Sequence, residues 1–417
     1  MKKISLSLII LLIVGGMILS CSKNDMLNTS LNNVIDNKTP SKLPVIVVID
    51  PFAATKLTFG TNIDPTNLLN YANQTKPAYI LKDNTGNNAI TNPKATLGRV
   101  LFYDKNLSTN NTISCGSCHK QNFAFSDTAL VSNGVEGGLT VRHSMRLINT
   151  RFANENKFFW NERAASLEIQ TTMPIQDHLE MGFSGVNGRG NMSTLLAKLS
   201  KINYYNELFK LVYGDTVVTE ARMQESLAQF VRSIQSFDSK YDAGRAQVRN
   251  NNDPFPNFTT TENTGKNLYM TPPVFNTNGI RIAGGLGCNS CHNAPEFDID
   301  PNSRNNGVIG IIGSNDVELN DTRAPSLRDL TKTDGTLNSR MMHNGVFNNL
   351  AAVLAHYNNI PNNPRNNNLD EKLRINNATQ QLNLTTEERD AVIAFMKTLS
   401  GILVYTDKKW GNPFLIP

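Results

Sequence analysis

Cys115-Gly116-Ser117-Cys118-His119 places two thiols around two small residues, with a histidine immediately after. The same pattern returns at Cys288-Asn289-Ser290-Cys291-His292. Each is the attachment signature of a c-type haem. The two thiols add to porphyrin vinyl groups, and the histidine beside them ligates the iron from below. With 5 Cys and 6 His in 417 residues, one such pattern has a chance expectation of roughly 0.001. Two of them exclude coincidence. A zinc knuckle would need four protein ligands, whereas each motif offers three and has no further cysteine beside it. A redox C-x-x-C needs no histidine at the next position. The expected cofactors are therefore two covalently bound haem c groups. Cys115, Cys118 and His119 hold the first, and Cys288, Cys291 and His292 the second.

The remaining cysteine, Cys21, closes an export signal. Lys2 and Lys3 form its positive start, Ile4 to Leu19 its apolar stretch, and Ile18-Leu19-Ser20-Cys21 resembles a lipobox. The expectation is a lipoprotein signal peptide over 1–20, cleaved before Cys21. A lipid on Cys21 then tethers the protein to a membrane, which places the folded part on the periplasmic face. A retained N-terminal anchor is the alternative. The net charge of +5 comes without a basic run, so nothing points to nucleic acid.

Residues 21–85 are expected as a tether and N-terminal extension, with Val45–Ile49 as a short strand or extended segment. Thr91-Asn92-Pro93 predicts a helix start, with Leu97, Val100 and Leu101 on its buried face. A long irregular stretch runs from Phe123 to Phe159. Helices are predicted over 193–213 and 219–237, and Asn250–Thr261 as an inter-domain linker. Further helices fall at 263–270 and 347–357. The last begins at the cap Thr385, with Glu388 completing a capping box and Gly401 ending it. The fold class is mainly α: two cytochrome c-like helical domains, 86–250 and 260–405, each wrapped on one haem, with long irregular loops. A tail follows over 406–417.

Beyond the haem motifs, Leu97-Gly98-Arg99-Val100-Leu101-Phe102-Tyr103-Asp104 and the segment Phe159-Trp160-Asn161-Glu162-Arg163 through Gln170 resemble segments of the di-haem cytochrome c peroxidase family, which includes MauG-like enzymes. So do Pro174-Ile175-Gln176-Asp177-His178-Leu179-Glu180-Met181, Ala324-Pro325-Ser326-Leu327-Arg328-Asp329 and Met342-His343-Asn344-Gly345. The resemblance spans about residues 90 to 405. It implies that Glu180 moves a proton between the oxygens of a bound peroxide and that Gln170 orients the peroxide. It also implies that Pro174 shapes the pocket and that Trp160 lies between the haems and helps electrons pass. Arg163 reads as a propionate or structural partner.

The chain departs from the family in two places. The loop that often carries a distal histidine is Ser132-Asn133-Gly134-Val135-Glu136-Gly137-Gly138 and has none, so the first haem is expected to be open. The family's R-N-x-P segment reads Arg142-His143-Ser144-Met145. His143 replaces an asparagine that helps hold an inter-haem calcium, which puts that third cofactor in question. His143 is read as a structural histidine, with haem ligation as the alternative. His178 is expected beside the pocket or exposed, and His343 as a hydrogen-bond partner near the second haem. The family's second axial ligand on the second haem lies 14 residues after the histidine of its F-H-D-G turn. Counted from His343, that residue is Tyr357, with His356, Met341 and Met342 as alternatives.

The function these expectations add up to is a cytochrome c peroxidase. It would reduce hydrogen peroxide with electrons delivered through the second haem by a small donor protein, a cytochrome c or a cupredoxin. A MauG-like peroxide-dependent oxidase and a non-catalytic electron-transfer cytochrome are the alternatives. A homodimer is compatible with the resemblance.

Overall fold

The structure is a computed structural model that describes residues 50–154, 157–376 and 378–415. The signal sequence, Cys21 and the Val45–Ile49 segment lie outside the described residues. Twelve helices run through the described part: α1 Ala53–Phe59, α2 Asn92–Tyr103, α3 Cys115–Cys118, α4 Leu167–Gln176, α5 Met192–Leu199, α6 Asn203–Tyr213, α7 Glu220–Ser233, α8 Lys240–Arg245, α9 Thr260–Met270, α10 Leu350–Asn358, α11 Thr386–Lys397 and α12 Leu403–Thr406. The strands form three short antiparallel hairpins: β1 Pro273–Phe275 with β2 Arg281–Gly284, β3 His292–Asn293 with β4 Asp298–Ile299, and β5 Arg374–Ile375 with β6 Ala378–Thr379. The fold is mainly α, as expected.

Two hydrophobic cores organise it. The first is built from α2, α5, α6 and α7, and includes Leu97, Val100, Leu101, Phe102, Leu208, Phe209 and Phe230. The second gathers Tyr241, Leu268, Tyr269, Phe297, Val392, Phe395 and Leu399. The change of core falls between Ile234 and Tyr241, ahead of the expected linker. Asn250–Thr261 is not a free connector. Phe255 and Phe258 are buried in the second core, and the backbone carbonyls of Asn251 and Asp253 accept hydrogen bonds from Lys266 Nζ at 2.8 and 2.7 Å.

Each core turns on one helix crossing that requires glycine. A Cβ on Gly98 of α2 would lie 1.9 Å from the Ser226 carbonyl oxygen of α7. A Cβ on Gly265 of α9 would lie 1.9 Å from the Ala391 carbonyl oxygen of α11. The two crossings share a sequence pattern: Gly98-Arg99-Val100-Leu101-Phe102 and Gly265-Lys266-Asn267-Leu268-Tyr269. In both, the cation after the glycine is buried and donates to backbone carbonyls: Arg99 to Gly411 and Asn62, Lys266 as above. A haem motif follows each of these helices, so the two halves repeat one supersecondary unit.

Several boundaries differ from the sequence reading. The helix expected over 193–213 breaks into α5 and α6 at Ser200-Lys201-Ile202, where Ile202 is extended. The Thr385–Glu388 capping box is present, but α11 ends at Lys397 with Thr398 as its C-cap. Gly401 lies beyond it and donates its N–H to Asp329 Oδ1. Within the expected tail, residues 406–415 pack against the body. Trp410 is buried in the first core and donates through Nε1 to the Ser233 carbonyl at 3.1 Å. Residues 50–85 likewise contribute Phe59, Ile63 and Tyr71 to that core.

Candidate haem sites and the wall between them

The first motif forms α3, a single turn packed flat on α2. A Cβ at Gly116 would lie 2.5 Å from the Tyr103 ring, so only glycine fits there. Ser117 Oγ accepts from Ser114 N at 3.0 Å and steadies the turn. His119 donates from Nδ1 to the Phe125 carbonyl at 3.0 Å, which fixes the ring and leaves Nε2 for the cavity beside it. The second motif opens on Gly287, at φ +69°, and its turn is tied by Ala294 N donating to Asn289 Oδ1. Tyr269 of α9 donates to the His292 carbonyl at 2.6 Å.

Each motif lines its own cavity, of about 190 Å³ and about 210 Å³ respectively. His292 lines the second cavity, and its Nδ1 is buried with no protein partner. Burial also pushes both imidazoles down, His292 to about 4, which keeps them in the neutral form that ligates metal. The same burial pushes the thiols of Cys115 and Cys288 up to about 12. Buried, protonated thiols are poor zinc ligands and inert as redox groups. The residues therefore fit covalent haem: Cys115, Cys118 and His119 would hold one, and Cys288, Cys291 and His292 the other.

One helix face lines each cavity. From α4, Leu167, Gln170, Thr171 and Pro174 point into the first, the i, i+3, i+4, i+7 stripe of a helix. The opposite face anchors α4 to α7 through the ion pair of Glu168 and Arg232. At the end of α4, Asp177 Oδ1 accepts from Leu179 N and Glu180 N at 2.8 and 3.1 Å. This turn swings Glu180 into the cavity beside Gln170. Burial pushes the Glu180 carboxyl up to about 7, helped by the Asp177 carboxylate and opposed by the Arg163 guanidinium. The histidine-free loop closes over the same turn. Val135 N donates to the Glu180 carbonyl at 3.0 Å, and a Cβ on Gly134 would lie 1.8 Å from the Leu179 carbonyl oxygen. Arg163 stacks on Phe159, 3.5 Å from the ring centroid, and donates to Asn161. His178 faces away, bonded to Ser184 Oγ at 2.9 Å.

From α10, Leu350, Val353, Leu354 and Tyr357 line the second cavity with the same stripe. Met341, Met342 and His343 line it as well. His356 does not; its Nε2 donates to the Asn306 carbonyl at 2.8 Å. Tyr357 Oη accepts from Asn306 Nδ2 at 3.0 Å.

The cavities share a wall made of His143, Ser144, Met145, Arg146, Trp160, Arg323, Ala324 and Pro325. Trp160 is 9% exposed. Its Nε1 donates to the His143 carbonyl at 2.8 Å, and its own carbonyl accepts from Arg323 N. The ring meets His343 edge-on at 6.3 Å. His143 is 3% exposed and donates from Nδ1 to the Leu130 carbonyl at 3.2 Å, while its Nε2 is sealed in protein. It is a wall residue. The wall contains no carboxylate and two buried guanidinium groups, Arg146 and Arg323, which burial pulls down to about 10 and about 9. Among the described residues, no group of three or more His, Cys, Asp or Glu could hold a metal ion. The wall thus offers no side-chain carboxylate to an inter-haem calcium. Arg146 and Asn306 carry no family motif, and the sequence alone did not single them out. Only contact with both cavities, or with both candidate donors, reveals them.

The fold and the paired cavities define a chain built to carry two haem groups. Residues 92–250 match the family described as di-haem cytochrome c peroxidase, and the relatives and structures to which the chain is similar include MauG proteins and cytochrome c peroxidases. The chain is 26% identical over 324 residues to a methylamine utilization protein MauG of Methylophilus methylotrophus, spanning 75% of this chain and 84% of the relative. It is 26% identical over 251 residues to a cytochrome c551 peroxidase of Nitrosomonas europaea, 57% of this chain and 66% of that one. Among solved structures, a MauG-like protein associated with microbial copper homeostasis superposes with a TM-score of 0.62 at 24% identity, covering 82% of this chain and 99% of that one. A variant of the diheme peroxidase BthA of Burkholderia thailandensis gives 0.56 at 20% identity, covering 81% and 93%. These structures agree with the fold described above.

Proposed function

We propose that this chain is a di-haem peroxidase that reduces hydrogen peroxide to water in the first cavity. The observation that carries the reading is Glu180, a carboxyl pushed to about 7 in the cavity of the first haem motif, beside Gln170. Haem bound at His119 supplies the iron that accepts peroxide, and haem at His292 supplies a second redox centre. Glu180 takes the proton from the near oxygen of the peroxide and returns it to the far one, so that the departing oxygen leaves as water. A carboxyl balanced near neutrality can do both. The Gln170 amide donates to the peroxide and orients it. Leu167, Thr171 and Pro174 limit the water around it. Trp160 bridges the two cavities and carries electrons across the wall. Electrons arrive from a small donor protein, a cytochrome c or a cupredoxin. Two electrons and two protons per peroxide balance the reaction.

Tyr357 favours a second reading, a MauG-like oxidase. A phenolate on the second iron stabilises the ferric state, which suits storing oxidising equivalents better than accepting electrons from a high-potential donor. Export and a lipid on Cys21 complete the proposal. Among the described residues no helix is long and apolar enough to cross a membrane.

Stopped-flow addition of peroxide to the purified diferric holoprotein, followed by turnover with a reduced small cytochrome, tests both readings. Turnover is the expected result. Reaction with peroxide but no turnover favours the oxidase, and a chain inert to peroxide before and after one-electron reduction is only an electron carrier.

A further inference from the structure

Asn306 sits in the loop opposite α10, on the wall of the second cavity, and no step above uses it. Its side-chain nitrogen makes two hydrogen bonds. One goes to Tyr357 Oη at 3.0 Å, the other to Met342 Sδ at 3.1 Å. Two side chains able to ligate the second iron thus converge on one amide. We propose that Asn306 is a positioning residue that selects Tyr357 over Met342 as the distal donor of the second cavity. This rests on the reading of Tyr357 as an iron ligand.

The amide cannot turn to serve other partners. Its Oδ1 accepts from Val308 N at 3.1 Å, which leaves Nδ2 facing the cavity. Its carbonyl oxygen is held by His356 Nε2 at 2.8 Å. His356 and Tyr357 are consecutive on α10, so the helix grips this residue at both its backbone and its side chain. The next residue, Gly307, has φ +89°, and a Cβ there would lie 2.6 Å from Ile360. The preceding residue, Asn305, is fully buried and bonded to Asn366 and to the Leu319 carbonyl. The loop therefore presents one fixed donor nitrogen.

Donor chemistry decides which partner gains. An N–H bond to an anionic oxygen is roughly twice as strong as a neutral one, and a thioether sulfur is a weak acceptor. The amide therefore stabilises a bound phenolate more than a bound thioether, while its second hydrogen keeps the Met342 sulfur against the loop. Removing the amide weakens the first effect and frees the second.

The test uses four holoproteins: wild type, Asn306→Leu, Asn306→Leu with Met342→Leu, and Tyr357→Phe. Asn306→Ser is read beside them in case leucine is too bulky for the loop. Ferric spectra and the potential of the second haem are measured for each. The wild type is expected to lack a methionine–iron charge-transfer band, and Tyr357→Phe to alter the second-haem spectrum. Asn306→Leu or Asn306→Ser should show that band and a higher second-haem potential, and the added Met342→Leu should abolish the band. If Tyr357→Phe alters the spectrum but both Asn306 variants match the wild type, Asn306 has no part in the choice and the Tyr357 reading stands. If Tyr357→Phe leaves the spectrum untouched, both fall.

Discussion

In the proposed peroxidase Glu180 moves the proton, and its environment sets how activity should depend on pH. The carboxyl is pushed to about 7 mainly by burial. A general base works only in its ionised form, so peroxidase turnover should rise with pH through about 7. Glu180→Gln keeps the volume and removes the proton transfer. Its expected effect is a loss of about 100-fold or more in rate, disappearance of that pH limb and unchanged haem content. A pH–rate profile of both proteins at saturating donor checks this; a limb that survives in the variant moves the shuttle to another group. His178 is not a natural replacement, because its ring bonds Ser184 outside the cavity. At this scale the sequence was most informative where a motif fixes chemistry. The haem-motif residues, Glu180, Gln170, Trp160 and Tyr357 all line the cavities. It was silent on Arg146 and Asn306, whose significance is one of position. Nothing in an isolated Asn-Asn-Gly stretch signals that its amide meets a tyrosine 51 residues later.

Among the elements, the glycine crossings bear most of the geometric burden. The helices themselves were readable from caps and apolar spacing: Thr91 caps α2, Thr219 caps α7 and Thr385 caps α11. What pattern alone did not reveal is where helices touch. Gly98 and Gly265 have helical neighbours and looked unremarkable, yet each lets a backbone carbonyl of the crossing helix approach. The break at Ser200–Ile202 was missed because the apolar period runs on across it. The burial of 406–415 was missed because its anchors, Trp410 and Phe414, are few and far from the core in sequence. Gly98→Ala and Gly265→Ala should each destabilise the holoprotein by about 2 kcal/mol or more, since the added methyl meets backbone that cannot rotate away. Thermal unfolding of each variant with full haem content measures this. Gly86→Ala is the control: its position has open space around a Cβ but a φ of +53°, so only its smaller backbone strain should register.

Over the whole molecule, two cavities meet at one wall, and the charge of that wall governs how they communicate. Trp160 is pinned in it at both its indole N–H and its carbonyl. Trp160→Phe should therefore leave both haem spectra intact while slowing electron transfer between them by about 10-fold or more, an estimate on the scale of losing one well-placed group; rapid-mixing spectra of the half-reduced protein resolve that rate. The wall carries two cations, Arg323 and Arg146, and the latter is 7% exposed. It donates to the Ser326 carbonyl at 3.0 Å and more distantly to Ser339 Oγ, and its Nε has no partner. It also lies close enough to His292 to hold that imidazole's proton affinity down. A fixed cation in a medium of low dielectric constant disfavours added positive charge nearby. Ferric iron carries one more positive charge than ferrous iron, so the arginine raises the potential of a haem on His292. Arg146→Met keeps the stem and removes the charge, and the second-haem potential should fall in spectroelectrochemical titration. A calcium ion in this wall would meet two guanidinium groups and no side-chain carboxylate. Elemental analysis of the holoprotein should find well under one calcium per chain, and a chelator should leave both haem spectra unchanged. A stoichiometric calcium whose removal shifts either spectrum, together with an unmoved potential in Arg146→Met, would mean that the charge between the cavities is held elsewhere.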